Sequence, residues 1–380
     1  MKPLRKKRKR GIKSLLFAVI PLIVALLVGE AALRVTDFQY ESFYDCPDWW
    51  TRCDQNPVFI GDPVLFWRLR PNANSDLNPE SRYTQLINKA GFRDDDTPIQ
   101  KQPNELRIIT MGDSCTYGDG VANWESYPNV LEKLIRLSAP DRPVSVLNAG
   151  VPGYTAYQID TYLRSELLKY KPDVVTVYVG FNDNIPAAGG IPDKDIKPLH
   201  TPGIEALRGI LEHFRLYQYA NKVITGLKRK TVSTAPPPVS TELDVEQEFR
   251  VSTGDYMDIL CGINETGKTD GFTTIIMTLP HVFDKEPHRN HNVRVAADRC
   301  KIPLLDLWSI MKAEQATGKG LYNADGGHPN AIGHRIIATA LMRKLQELGI
   351  IKEGPAPELP PIVYDTMEPD QFDGATDGGA

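Results

Sequence analysis

The chain has 380 residues, room for two ordinary domains or one large α/β domain with appendages. Apolar residues at 41%, charged at 24% and aromatic at 8% are globular averages, which excludes wholesale disorder, a collagen-like fibre and a multi-span transporter. The net charge of -4 hides an asymmetry: residues 1–13 carry eight of the 44 basic residues and no acid, so the rest has 36 basic against 48 acidic residues and is a poor match for nucleic acid.

Residues 15–29 follow that basic run without a single charge, and Ala31, Ala32 and Leu33 continue the apolar stretch past Glu30. About 20 apolar residues span a bilayer. The expected layout is a cytoplasmic basic segment over 1–13 and a single-pass transmembrane anchor over 14–34. By the positive-inside rule everything after residue 35 then lies outside the cytoplasm, in the periplasm of a bacterial envelope. A cleavable signal peptide has the same polarity, but this stretch is longer than the usual apolar region and lacks a small-x-small cleavage site, so a retained anchor is expected. The cysteines fit that compartment. Cys46 and Cys53 stand seven apart in a turn-rich stretch and are expected to form a local disulfide, no further zinc ligands being near. Cys261 and Cys300 either pair or serve separately as small buried hydrophobes, and Cys115 is expected to be a core thiol.

Residues 35–104, rich in Pro, Asn, Asp and aromatic residues, read as a membrane-proximal collar packed on the main domain. From 105 to 350 short β-branched runs alternate with amphipathic stretches. Strands are expected at Leu106 to Met111, Val144 to Leu147, Val174 to Val179, Thr274 to Thr278 and Pro303 to Leu307. Helices are expected near Trp124 to Leu137, Tyr157 to Lys169, Val245 to Asn264, His291 to Arg299 and Ala331 to Leu348. Continuous apolar strands separated by helices predict an open α/β sandwich with a five-stranded parallel sheet covered on both faces. An insertion over 185–243 contains a Pro-rich piece at 231–241, expected to be a solvated loop, and the acidic tail over 351–380 is expected to be disordered.

Four segments carry groups suited to acyl chemistry. Gly112-Asp113-Ser114 follows the first strand, where open α/β sheets place their ligands, and puts a hydroxyl beside backbone N–H groups. Gly150 and Gly153 after the second strand permit close backbone approach, so that an N–H points at a substrate oxygen. Asn182, after the third, offers a carboxamide donor for the same oxygen. Asp325 and His328 precede the last helix three residues apart, so one tight turn brings the carboxylate to an imidazole nitrogen and leaves the other facing a nucleophile. Ester hydrolysis needs this set: a hydroxyl with its base, a carboxylate that orients the base, and donors for the developing oxyanion.

These blocks, Gly112-Asp113-Ser114, Asn148-Ala-Gly-Val-Pro-Gly153, Gly180-Phe181-Asn182-Asp183 and Asp325-Gly-Gly-His328-Pro329, resemble in order and placement the four blocks of the SGNH (GDSL-type) hydrolase superfamily, over residues 105 to 345. Singly each is weak; together they are specific. The resemblance implies a flavodoxin-like three-layer α/β/α sandwich. It also implies Ser114 as nucleophile, His328 as base, Asp325 as its partner, and an oxyanion hole made by the Ser114 N–H, the Gly153 N–H and the Asn182 side chain. Cys115 stands where the family name expects Leu, a position at which members vary.

Two rival constellations compete with this set. His281, His288 and His291 suggest a metal, but no helical spacing constrains them and Pro287 breaks regularity, so a polar loop is preferred. Asp113 and Asp183 imitate a paired-carboxylate glycosidase site, but turn caps at strand ends are preferred. The expectation is an anchored, extracytoplasmic serine hydrolase that cleaves or transfers acyl esters on envelope glycans or lipids. It needs no cofactor and no metal, has the membrane as its partner, and does not bind nucleic acid. The alternative is a non-catalytic envelope binding module that keeps the fold.

Overall fold

The computed structural model describes residues 4–38, 58–73 except 63, 86–187, 190–196, 210–223 except 212 and 221, 249–280 and 286–360. Cys46, Cys53, His281, the Pro-rich piece at 231–241 and residues 361–380 lie outside these.

The centre is a five-stranded, wholly parallel sheet of β3 (Leu106–Gly112), β4 (Val144–Gly150), β5 (Val174–Tyr178), β6 (Thr273–Met277) and β7 (Leu304–Leu305), in the spatial order β4-β3-β5-β6-β7. This is the flavodoxin-like order expected above. Every residue of β3 and β5 is buried, because both faces of the sheet are covered. Alternate residues serve two cores. Ile109, Met111, Leu147 and Val175 join α4 (Ala156–Tyr162), α5 (Thr253–Asp270) and α6 (His288–Cys300) on one face. Ile108, Val146, Val174 and Ile275 join α3 (Tyr127–Ser138) and α8 (Ala331–Glu347) on the other.

Several boundaries differ from expectation, three of them for a clear local reason. The last strand stops at Leu305 and not at Leu307, because the Asp306 side chain caps a helix absent from the sequence reading, α7 (Leu307–Gln315). The helix expected from Val245 starts at Thr253, because the Ser252 hydroxyl accepts the Asp255 N–H and the preceding Phe249 bridges Pro186. The helix expected over Tyr157 to Lys169 is α-helical only to Tyr162 and continues through a π turn and a 3-10 turn that end at Lys171, φ 50°.

The segment read as a collar adds to the core. Antiparallel strands β1 (Phe59–Asp62) and β2 (Phe66–Leu69) bury Phe59, Leu65, Trp67 and Leu69 in the same cluster as Ile159 and Tyr162. The tail expected to be disordered from 351 is ordered over its first ten residues: Ile351 is buried, and Ala356 and Leu359 pack on the core behind α3 and α8, since apolar side chains within reach of a core gain by burial. Cys261 and Cys300 are joined by a disulfide that ties α5 to α6.

The expected anchor at 14–34 coincides with α1 (Leu4–Val35). The side chains of residues 1–18 and 22 lie outside the described residues, and among those described no helix is long and apolar enough to cross a membrane. Part of the insertion docks on the end of α1: the Glu30 carboxylate accepts the N–H groups of Arg215 and Leu216 at 3.1 and 2.9 Å, and Arg34 donates to the His213 carbonyl at 2.9 Å.

Candidate active site

The site forms at the ends of the parallel neighbours β3 and β5, whose following connections lead toward opposite edges of the sheet, β3 to β4 and β5 to β6; this is the crevice in which doubly wound sheets hold ligands. Gly112 and Gly150 are register partners at the ends of β3 and β4. A Cβ on Gly112 would run into the Tyr178 carbonyl and Thr116, and one on Gly150 into the Tyr117 backbone. Two glycines side by side let the one-turn helix α2 (Ser114–Tyr117) settle onto the strand ends. Asp113 caps this turn by accepting the Cys115 N–H at 3.0 Å, which leaves Ser114, half-buried, as its first residue.

His328 reaches Ser114 from a loop 214 residues further along the chain, with Nε2 2.8 Å from Oγ. Its Nδ1 lies 2.6 Å from Asp325 Oδ2. The Asp325 Oδ1 accepts the backbone N–H groups of Gly327 and His328 at 2.9 and 3.0 Å, so one carboxylate holds both the turn and the ring. Partial burial draws the Asp325 pKa upward, but the hydrogen bonds from the His328 backbone and ring and from Gly327 outweigh it and hold the group below the usual carboxylate range. The Asn330 side chain caps α8 through the Ile332 and Gly333 N–H groups, fixing the loop directly after His328. Asn323 joins the two loops by donating to the Asp119 carbonyl at 3.3 Å.

Gly153 follows β4 with φ +82°, a left-handed conformation that favours glycine. Asn182 is buried in a 3-10 turn after β5; its Nδ2 donates to the Tyr154 carbonyl at 3.1 Å and stands 3.5 Å from Asp113 Oδ2. The structure thus brings Ser114, His328 and Asp325 into one hydrogen-bonded line, with Asn182 linking the Ser114 loop to the Gly153 loop.

Asp113 and Asp183 are both fully buried turn caps, Asp183 accepting the N–H of Ala156 at the start of α4. Burial pushes the Asp113 carboxyl up to about 6, and pushes Asp183 up to about 7 despite the neighbouring Arg289. Of the histidine constellation, His288 and His291 fall in the first turn of α6, and His281 lies outside the described residues. Cys115 is a buried free thiol whose pKa burial raises well above the ordinary value.

Sequence reasoning missed the residues that brace these loops. Arg93, 1% exposed, donates to the carbonyls of Tyr117, Gly118 and Val121 and pins the segment after Ser114. Arg250 donates to the Gly153 carbonyl at 2.8 Å and pairs with Asp193 at 3.0 Å. Trp67 Nε1 donates to the Pro152 carbonyl at 3.0 Å. No motif marks them, since a lone arginine or tryptophan in a loop-rich stretch reads as surface or generic core.

A family profile described as GDSL-like Lipase/Acylhydrolase matches residues 110–336, more than half of the chain, and takes in all four blocks. The chain belongs to this family. Membership makes it a hydrolase of the esterase type. No curated protein matches it. Among solved structures it is similar to the acetylxylan esterase Axe2 of Geobacillus stearothermophilus at 17% identity, over 63% of this chain and 94% of that one, with a TM-score of 0.42. It is also similar to the lipase/acylhydrolase of Enterococcus faecalis at 18% identity, over 64% and 96% of the two chains, with a TM-score of 0.40. A GDSL-like lipase of Parabacteroides merdae is similar at 14% identity, over 65% and 98%, with a TM-score of 0.41.

Proposed function

We propose that this family member is a membrane-anchored, extracytoplasmic serine esterase that removes, or transfers, acyl groups on envelope glycans or lipids. The observation that carries the chemistry is the unbroken line from Ser114 Oγ through His328 Nε2 and Nδ1 to Asp325 Oδ2, at 2.8 and 2.6 Å. With the Nδ1 proton donated to Asp325, Nε2 is free to accept the serine proton. Oγ attacks the ester carbonyl carbon, His328 takes the proton, and the carbonyl electrons move onto oxygen. The Ser114 and Gly153 N–H groups and the Asn182 carboxamide stabilise that oxyanion. The protonated ring then gives its proton to the departing alkoxide, leaving an acyl-serine. Water repeats the sequence in reverse to free the acid; a second hydroxyl in its place transfers the acyl group instead.

The compartment reading rests on the eight N-terminal cations ahead of the apolar run, and the Cys261–Cys300 disulfide supports it, because such bonds persist outside the reducing cytosol. The test of chemistry is release of p-nitrophenol from p-nitrophenyl acetate and butyrate by the full chain and by Ser114→Ala, with fluorophosphonate labelling alongside. A Ser114-dependent rate and labelling are expected; equal rates and no labelling return the protein to the non-catalytic alternative. A reporter fused to the C-terminus is expected to be active only outside the cytoplasm, and cytoplasmic activity overturns the compartment.

A further inference from the structure

The N–H of Gly153 and the C=O of Pro152 are opposite ends of one planar peptide, so whatever aims the carbonyl also aims the N–H. Trp67 Nε1 donates to that carbonyl at 3.0 Å. Trp67 is 1% exposed and cannot swing. Its backbone pairs with Gly61 in the β1–β2 hairpin, and its own carbonyl accepts the Tyr154 hydroxyl at 2.6 Å. The next peptide plane is held as well: Arg250 donates to the Gly153 carbonyl at 2.8 Å. Arg250 is fixed in turn by Asp193 at 3.1 and 3.0 Å and by Gln158 at 2.8 Å, with its guanidinium 5.6 Å from the Trp67 ring. Gly153, at φ +82° and without a Cβ, sits between two anchored planes.

From this we infer that Trp67 and Arg250 are positioning residues that aim the Gly153 N–H at the reacting carbonyl oxygen, so that the hairpin preceding the family core completes the oxyanion site. The inference rests on the proposed role of Gly153 as an oxyanion donor. It goes further in assigning a part of that site to residues 59–69, which the family match at 110–336 does not include. Two physical effects follow from the clamp. A freely rotating peptide loses orientational entropy each time its N–H meets the oxyanion, and a fixed one does not. A carbonyl that accepts a hydrogen bond also polarises its own peptide, making the N–H a stronger donor. Both act on the transition state and leave ground-state binding alone.

The experiment compares the full chain with Trp67→Phe, which keeps an aromatic ring and loses the donor, using p-nitrophenyl acetate and Asn182→Ala as a benchmark for loss of a whole oxyanion donor. Loss of a donor typically lowers kcat about 10²- to 10³-fold. A misaimed donor is expected to lower it about tenfold or more, with KM within about twofold, and to shift the Gly153 amide proton resonance. A folded Trp67→Phe whose kcat stays within about twofold of the parent overturns the inference, as does a loss that vanishes at low temperature where the fold is fully populated. Should Trp67→Phe not fold, Arg250→Lys carries the same test, since it keeps the charge opposite Asp193 but loses the fork; unchanged kcat there overturns the inference equally. A parent rate insensitive to Ser114→Ala removes the underlying reading, whereas a Ser114-dependent rate untouched by both variants removes the clamp alone.

Discussion

Asp325 touches His328 twice, its Oδ1 accepting the backbone N–H at 3.0 Å and its Oδ2 lying 2.6 Å from Nδ1 of the ring. Asp325→Asn keeps the acceptor for the turn, so the loop persists, but its amide favours the opposite imidazole tautomer. We expect kcat for p-nitrophenyl acetate to fall about 10³- to 10⁴-fold. The melting temperature should change little, because the side chain is half in solvent. Near-parental kcat in the Asp325→Asn variant would exclude the relay.

Asp183 is fully buried with a pKa raised to about 7. A raised carboxyl stabilises the fold fully below its unfolded value of about 4, and that contribution is lost as the pH climbs through 7, where the buried group is forced to ionise. The melting temperature is therefore expected to drop between about pH 4 and about pH 7.5, the interval in which the unfolded chain has released this proton and the folded one has not, and Asp183→Asn to reduce the drop by keeping the acceptor for Ala156 without the charge. Identical pH profiles for the two proteins in scanning calorimetry would refute this.

The disulfide between Cys261 and Cys300 closes a segment of 39 residues in sequence separation. Loop-closure entropy of that size stabilises a fold by about 3 to 4 kcal/mol. Replacing both cysteines by alanine is expected to lower the urea midpoint correspondingly, while kcat in the cold stays near the parent value because the bond lies between α5 and α6, away from the Ser114 turn. Reductant should lower the midpoint of the parent by at least as much.

Gly150→Ala tests the seat of α2. The added methyl meets the Tyr117 backbone, so α2 and Ser114 must move together. Misplacing a nucleophile by about 1 Å costs about 10²-fold, and fluorophosphonate labelling should slow by that order. Labelling at the parental rate in a folded variant would show that the register pair Gly112 and Gly150 does not set the nucleophile's position.

Much of the fold is legible in the chain itself. The strands announce themselves because burial on both faces demands predominantly apolar, β-branched runs such as Leu106 to Met111 and Val174 to Val179. The reacting groups are legible because each depends on a local device: a glycine at a strand end, a cap residue, a three-residue spacing between carboxylate and imidazole. Strand β7 escapes such reading at its end because Leu307 is apolar in either state, and the short Asp306 side chain, by capping Ser309, decides for helix.

Residue types and their local spacing alone therefore determined a parallel α/β sandwich, the serine, histidine and aspartate that meet in it, and the acidic body behind a basic, apolar N-terminus. Tertiary structure alone decided that Cys261 pairs with Cys300, that the hairpin at 59–69 belongs to the core, and that Trp67, Arg93 and Arg250 brace the reacting loops. The reason is physical: those three side chains bond to backbone carbonyls 24 to 97 residues away, and a carbonyl looks the same at every position until folding selects which ones are left without a partner.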